Sequence, residues 1–195
     1  MFLFFILLLA LVGAFDPLDD VRSECKLPLK TGTTPCKTGK KAVRYYFDVN
    51  AFMPLAFEYT GCGGNANNFE NEHECHSKCL PMDAVYCQGG KQLPKPEICQ
   101  VDKDCGPKGI CTPISLHAKA CCDKKTTDEH NADWKNCPKG KKPVEEMQSG
   151  NTVVIVGKTC KSKFCPPNTT CSQGKHFSIC LHQTILLRDG PTSLG

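Results

Sequence analysis

The stretch that decides the fold of this chain runs from Phe57 to Cys79 and reads FEYTGCGGNANNFENEHECHSKC. Its fixed positions are Phe57, Gly61, Cys62, Phe69, Cys75 and Cys79. Six such positions within one short stretch are far from a chance arrangement. Closely spaced cysteines of this kind indicate a small domain that disulfide bonds hold together.

The chain as a whole also points to a disulfide framework in an exported protein. All 16 cysteines of the 195 residues fall between Cys25 and Cys180. The apolar N-terminal run MFLFFILLLALVGAF is too short to span a bilayer comfortably, and Ala14 ends a small-residue cleavage pattern. We therefore predict a signal peptide over residues 1–14, with an uncleaved anchor as the alternative. The mature form is predicted to be secreted and extracellular, with no membrane association.

Charge and motifs exclude several classes of function. The formal net charge of +4 is spread along the chain without an Arg-rich block, so nucleic acid is not an expected partner. The sequence contains no G-x-S-x-G, no phosphate-binding loop and no H-E-x-x-H, and no cysteine stands in a nucleophile motif. We therefore expect neither an enzyme nor a cofactor. The HECHSKC run from His73 has zinc-like spacing, but disulfide use is favoured in an exported chain, so no metal is predicted.

Residue patterns around the opening stretch predict a small α+β domain. Residues 42–48 (AVRYYFD) and 55–60 (LAFEYT) are rich in β-branched or aromatic residues and predict two strands. A short helix is predicted over residues 72–80, because Asn71 can cap it and Glu74 follows three residues later. The preceding residues 15–24 (FDPLDDVRSE) are predicted to be an acidic, flexible lead-in.

Residues 25–79 closely resemble a Kunitz (pancreatic trypsin inhibitor type) domain. The first, second, fourth, fifth and sixth cysteine positions of that family correspond here to Cys25, Cys36, Cys62, Cys75 and Cys79. Pro54 stands at the third position. Further matches are Arg44, Tyr45, Phe57, Tyr59, Gly61, Asn67, Asn68 and Phe69. The resemblance implies a twisted two-stranded antiparallel hairpin followed by a short C-terminal helix.

The resemblance also implies a disulfide pattern and an inhibitory site. It pairs Cys25 with Cys79 and Cys36 with Cys62, and it leaves Cys75 without its usual partner. In the family, the residue after the second cysteine enters the S1 pocket of a serine protease. That residue is Lys37, flanked by Pro35, Cys36 and Thr38. A long cation suits a pocket floored by a carboxylate, so a trypsin-like serine protease is the implied partner.

Two intervals depart from the family pattern on either side of Lys37. The interval from Cys25 to Cys36 and the interval from Cys36 to Arg44 are each two residues longer than usual. A longer loop is less rigid, and small displacements matter in a rigid substrate mimic. The loop length is therefore a reason to weigh a function other than inhibition.

The rest of the chain carries two degenerate cysteine-rich repeats, predicted to be small, disulfide-rich and loop-dominated. The repeats span residues 87–122 and 137–181, separated by a polar linker over 123–136 and followed by a tail over 182–195. Their cysteine spacing resembles the lustrin-type repeat. A whey-acidic-protein-like four-disulfide core is a rival for the first repeat. The second repeat has Leu181 where the first has the second of two adjacent cysteines.

Cysteine parity and one sequon complete the candidate sites. The three modules contain five, six and five cysteines, which suggests a bridge between modules from Cys75 to the unpaired cysteine of the second repeat. Two free thiols or an intermolecular bond are the alternatives. Asn168-Thr169-Thr170 is a glycosylation sequon between two cysteines, and we predict modification of Asn168.

Three functions are compatible with these patterns. The first is reversible, substrate-like inhibition of a trypsin-like serine protease, with Lys37 in the S1 pocket. The second is a non-inhibitory structural, matrix-associated or binding protein of the extracellular space that uses the Kunitz-like module as a scaffold. The third is a channel-blocking variant that acts through surface cations. The intact Cys36 and Cys62 positions favour the first, whereas the longer loop and the repeats favour the second.

Overall fold

The computed structural model describes residues 16–81, 86–93, 98–114 and 118–183. The predicted signal peptide over 1–14 lies outside the described residues. The predicted tail over 182–195 is described only at its first two residues, and the first of them, His182, ends the last strand. Within the described ranges, no helix has the length and apolarity needed to cross a membrane.

The Kunitz-like module contains the predicted hairpin and helix. Strands β1 (Ala42–Asp48) and β2 (Met53–Tyr59) pair antiparallel over their full lengths. Helix α2 (Glu72–Cys79) begins where Asn71 Oδ1 accepts the backbone N–H of Glu74 at 2.8 Å, a standard N-cap. The predicted α+β arrangement of this module is therefore confirmed, although β2 begins two residues earlier than expected.

The prediction of a flexible lead-in over 15–24 is wrong for the residues that the structure describes. Helix α1 (Pro17–Asp20) is capped by Asp16, whose carboxylate accepts the Leu18 N–H at 2.9 Å. Val21 is only 3% exposed in the core, and the Arg22 N–H donates to the Cys79 carbonyl at 3.2 Å. Burial of apolar side chains gives this acidic segment a fixed place beside α2.

The first cysteine-rich repeat is built on a hairpin. Strands β3 (Gly109–Pro113) and β4 (Lys119–Asp123) pair antiparallel. Three disulfides hold the hairpin to its flanking segments, and they join Cys87 to Cys122, Cys99 to Cys111 and Cys105 to Cys121. Cys99 and Cys105 are nearly excluded from solvent, so in this repeat the disulfides themselves form most of the interior.

The prediction of a polar linker over 123–136 is also wrong, because most of this segment forms helix α3 (Lys124–Trp134). Its buried face is polar, and Asp133 is 5% exposed. The Asp133 carboxylate accepts backbone N–H groups of Lys175, His176 and Phe177 at 2.7, 2.5 and 3.2 Å. The segment has few apolar residues, so its sequence resembles a linker. Its helix is held by these hydrogen bonds to a distant turn and by Trp134, whose ring lies 4.8 Å from that of Phe177.

The second repeat contains five strands and two disulfides. The strands are β5 (Glu145–Gln148), β6 (Asn151–Val154), β7 (Val156–Gly157), β8 (Thr169–Gln173) and β9 (Ser178–His182). The disulfides join Cys160 to Cys171 and Cys165 to Cys180. Both repeats therefore contain more paired strands than loop-dominated modules would. The lustrin-type resemblance stays a prediction.

One sheet joins the Kunitz-like module to the second repeat. Its strand order is β1-β2-β7-β9-β8, and β2 pairs parallel with β7 through Ala56 and Gly157. A Cβ atom on Gly157 would lie 2.5 Å from Cε1 of the Phe164 ring, so only glycine permits this close packing. The ammonium of Lys158 also donates to the Asp48 carboxylate at 3.1 Å. The two modules are thus structurally continuous.

Two apolar clusters lie on opposite faces of this sheet. The first cluster takes Tyr45 and Phe47 from β1, whereas the second takes Tyr46, as the alternation of side chains along a strand requires. The second repeat contributes Phe164 to the first cluster and Phe177 to the second. Both cores therefore depend on residues that lie more than 100 positions apart in the sequence.

The two free cysteines correct the prediction of a bridge between modules. All 16 cysteines lie within the described residues, and Cys75 and Cys137 are the two that remain unpaired. Cys75 lies in the first cluster, whereas Cys137 packs against the second. Neither has a cysteine partner within its own module: Pro54 stands where the family resemblance implies the partner of Cys75, and Leu181 stands where the first repeat has Cys122. The expected bridge between modules is therefore wrong, because neither cysteine is bonded within the chain.

Thiol counting tests this assignment. Cys75 is fully buried, and burial raises the pKa of its thiol, so the reactive thiolate is scarce and inaccessible in the folded protein. We expect alkylation of the native protein to label Cys137 alone and alkylation in denaturant to label both residues, as read by peptide mass spectrometry. An unlabelled pair in denaturant would contradict the assignment, because it would mean that the two cysteines are bonded.

Candidate inhibitory loop

The Lys37 loop, defined as residues 33–40, lies beyond the end of the β1–β2 hairpin. Lys37, Pro35 and Thr38 are exposed, whereas the cysteine between Pro35 and Lys37 is half-buried. A disulfide joins Cys36 to Cys62 with 5.6 Å between their Cα atoms. The structure therefore brings together the residues that the resemblance assigned to the inhibitory site, with the Lys37 side chain facing solvent.

Hydrogen bonds fix the loop to the segment that carries Cys62. The Thr33 N–H donates to the Cys62 carbonyl at 2.9 Å, and the Gly39 N–H points at Cys36 Sγ at 3.2 Å. The Thr38 hydroxyl lies 3.7 Å from Cys62 Sγ, and because that sulfur is in a disulfide the hydroxyl is the donor. The loop is thus restrained on both sides of Lys37, which reduces the entropy that binding would cost.

Two glycines allow the loop to touch the opposite segment. A Cβ atom on Gly39 would overlap the Gly61 carbonyl oxygen, and a Cβ atom on Gly61 would lie 2.7 Å from the Gly39 carbonyl carbon. Gly61 also has a φ of +98°, a region that favours glycine. Gly61 was identified from the sequence, but Gly39 was not. The signal that could have revealed it is a glycine three residues after the loop cysteine, in a segment that must pass close to another backbone.

Asn67 holds the base of the module that presents the loop. Asn67 is 1% exposed, and its Nδ2 lies 3.0, 2.9 and 3.0 Å from the carbonyl oxygens of Cys25, Leu27 and Phe47, so its two N–H groups are shared among three acceptors. Its Oδ1 accepts the Phe47 N–H at 2.8 Å. These contacts join the N-terminal segment to strand β1, next to the disulfide between Cys25 and Cys79. The sequence marked Asn67 as a match, but not as the residue on which these segments converge.

The remaining candidate sites lie away from the loop. Asn168 is exposed at a turn before β8, with a φ of +61° that asparagine tolerates. Its side chain is therefore accessible, and its modification stays a prediction. In the zinc-like run, Cys79 is bonded to Cys25 rather than free to bind a metal. The sulfurs of Cys99, Cys105 and Cys111 lie within 4.8 Å of one another, but each belongs to a disulfide and offers no thiolate.

Comparison with known proteins identifies the family. The Kunitz/bovine pancreatic trypsin inhibitor domain matches residues 24–80. The major allergen Ani s 1 of Anisakis simplex is 33% identical over 171 residues, which cover 83% of this chain and 88% of that protein. This chain belongs to the Kunitz/bovine pancreatic trypsin inhibitor domain family. The family is one of inhibitors rather than enzymes.

Two further relatives show how far the similarity extends. The BPTI/Kunitz inhibitor domain-containing protein C02F12.5 of Caenorhabditis elegans is 34% identical over 159 residues, covering 80% of this chain and 88% of its own length. The Kunitz-type serine protease inhibitor Hg1 of Hoffmannihadrurus gertschi is 46% identical over 77 residues, covering 40% of this chain and 83% of its own. The similarity to the allergen and to the C. elegans protein thus continues beyond the Kunitz domain into the cysteine-rich repeats.

The contact between the two glycines can be tested with Gly61→Ala. The new methyl group would press on the Gly39 backbone, and residue 61 would hold a φ that is unfavourable for alanine. We therefore expect the free energy of unfolding to fall by about 2–4 kcal/mol. The Thr33 amide should exchange with solvent faster, because its acceptor is the Cys62 carbonyl beside Gly61. Urea denaturation and hydrogen exchange measure the two effects.

Gly150→Ala is the matched control for Gly61→Ala. Gly150 has a φ of +84°, but nothing lies within 4 Å of the position of its Cβ. It should show only the backbone cost, on the order of 1 kcal/mol, and no change at Thr33. Equal losses in the two variants would contradict a tight contact between the loop and the segment of Cys62.

Proposed function

We propose that this protein is a secreted inhibitor of a trypsin-like serine protease and that Lys37 enters the S1 pocket of the enzyme. The observation that carries the proposal is the position of Lys37. It is exposed directly after Cys36, in a loop that a disulfide and backbone contacts hold against the Cys62 segment. An ammonium on a long, unbranched stem complements a deep pocket with a carboxylate at its base.

Restraint of the loop explains how a substrate-like segment inhibits. The protease serine attacks the Lys37 carbonyl carbon, and the amine of Thr38 is the leaving group. In an ordinary peptide the amine would diffuse away. Here the Cys36–Cys62 disulfide and the contact between Gly39 and Gly61 hold the new ends together. Rejoining of the peptide bond therefore competes with hydrolysis, and the complex persists.

The disulfides and the relatives support both parts of the proposal. Seven disulfides in one chain require an oxidising compartment, which is consistent with export through the predicted signal peptide. The name of the relative Hg1 describes a Kunitz-type serine protease inhibitor. The preference for a trypsin-like target rests on the charge and length of Lys37.

A non-inhibitory extracellular role is the second candidate. The two additional residues on each side of Lys37 favour it, because a longer loop samples more conformations than a substrate mimic should. In that case the Kunitz domain would serve as a stable scaffold for binding or for association with the extracellular matrix. Titration of trypsin with the protein separates the two candidates.

The experiment is a titration of trypsin with the oxidised protein from residue 15 onward, beside its Lys37→Ala variant. We expect stoichiometric inhibition by the parent and an inhibition constant at least about 100-fold weaker for the variant, since a residue that fills the S1 pocket is an interface hot spot. Lys78→Ala is the matched control, because Lys78 is an exposed lysine on α2, outside the loop. This control should inhibit as the parent does.

Three outcomes would contradict the inhibitor proposal. Negligible inhibition by the parent and by both variants would favour the scaffold role. Steady cleavage after Lys37 without inhibition would show that the loop is recognised but not held firmly enough, and peptide mass spectrometry would locate the cut. A loss of inhibition in Lys78→Ala equal to that in Lys37→Ala would assign the effect to overall charge rather than to the S1 pocket.

A further inference from the structure

An open groove of about 440 Å³ lies between the loop end of the β1–β2 hairpin and the second repeat. One wall belongs to the Kunitz domain and contains Lys41, Val43 and Glu58. The other wall belongs to the second repeat and contains Lys163 and the pair Pro166-Pro167. The groove thus combines residues that only the folded, continuous sheet brings together.

We propose that this groove is a second contact site for the inhibited protease and takes an acidic surface loop on the leaving-group side of the enzyme's active site. The proposal rests on the proposed inhibitory function, because it concerns the same complex. It assigns to the second repeat a direct part in binding, in addition to its part in the fold.

The position of the groove supports this assignment. Lys41 follows Lys37 by only four residues on the leaving-group side, so their Cα atoms are at most about 14 Å apart. A typical interface buries roughly 800 Å² on each partner, which corresponds to a disc of about 16 Å radius. A protease centred on Lys37 therefore reaches Lys41, which lines the groove.

The chemistry of the groove fits an acidic loop with apolar side chains. Val43 is 39% exposed, and the two prolines add further apolar surface. The Lys41 ammonium is already paired with Glu58 at 3.1 Å, but none of the carboxylates in the described residues pairs with the Lys163 ammonium. The whole segment 26–41 also contains five lysines and no acidic residue. The field at this end of the molecule is therefore positive and attracts an acidic partner.

The wall of the second repeat is rigid enough to act as a binding surface. Cys160 is bonded to Cys171, and Cys165 is bonded to Cys180 in β9. These two disulfides attach the segment that carries Lys163 and the prolines to the sheet. Phe164, between them, is completely buried in the first cluster. A preformed wall of this kind forfeits little conformational entropy when a partner binds.

The test measures inhibition of anionic trypsin, whose surface is acidic, by the full oxidised protein and by Lys163→Glu, both made without N-glycans. N-glycans must be absent because a glycan on Asn168, which directly follows Pro166 and Pro167, would lie beside the groove. We expect the association rate constant of Lys163→Glu to fall about 10-fold and to depend less steeply on salt concentration than that of the parent. Lys163→Arg should behave as the parent does.

Lys103→Glu is the charge-matched control. Lys103 is exposed in the first repeat, outside the groove, and should leave the rate within about 2-fold of the parent. Equal rates for the parent and Lys163→Glu would overturn the groove proposal while leaving the inhibitory function intact. Equal losses in Lys163→Glu and Lys103→Glu would also overturn it, because net charge alone would then explain the effect. Failure of the parent to inhibit would reject the inhibitory function, and the groove proposal with it.

Discussion

The pairing of Ala56 with Gly157 is the contact on which the rest of the molecule depends. It turns β2 from the edge of a two-stranded hairpin into an interior strand of a five-stranded sheet. The hairpin presents the Lys37 loop at one end, and the extended sheet buries both of its faces. Because Gly157 has no side chain, the Phe164 ring can pack directly on the backbone at this junction. The Kunitz domain and the second repeat therefore share one sheet and its two apolar clusters.

This continuity stabilises a Kunitz domain whose helix carries a free cysteine. Cys75 on α2 is unpaired, and a disulfide bond typically contributes about 2–5 kcal/mol. In this protein, Phe164 and other residues of the second repeat cover the cluster in which Cys75 is buried. The apolar surface that they bury supplies stabilisation of the same order, since a buried aromatic side chain contributes roughly 1.5–3 kcal/mol.

The two cysteine-rich segments are held together in different ways. The first is a small unit with three disulfides, one of which joins Cys87 to Cys122. In the second, Leu181 packs with Tyr46 and Phe57 of the Kunitz domain. An apolar contact between modules therefore lies where the first segment has a covalent bond. Helix α3 joins the two repeats through Asp133, whose carboxylate binds the turn before β9.

The spacing of residues that are near one another in the sequence determined the elements whose stability depends on contacts within that same segment. The cysteine pattern, the aromatic strand residues and the Asn71 cap were sufficient to predict the family, the hairpin, helix α2 and the loop around Lys37. The sequence could not reveal that the 123–136 segment is a helix, because its stability comes from contacts with residues some 40 positions away. Nor could it reveal the shared sheet or the groove beside Lys41. Those features arise where distant segments meet, and only the tertiary structure decides which segments do so.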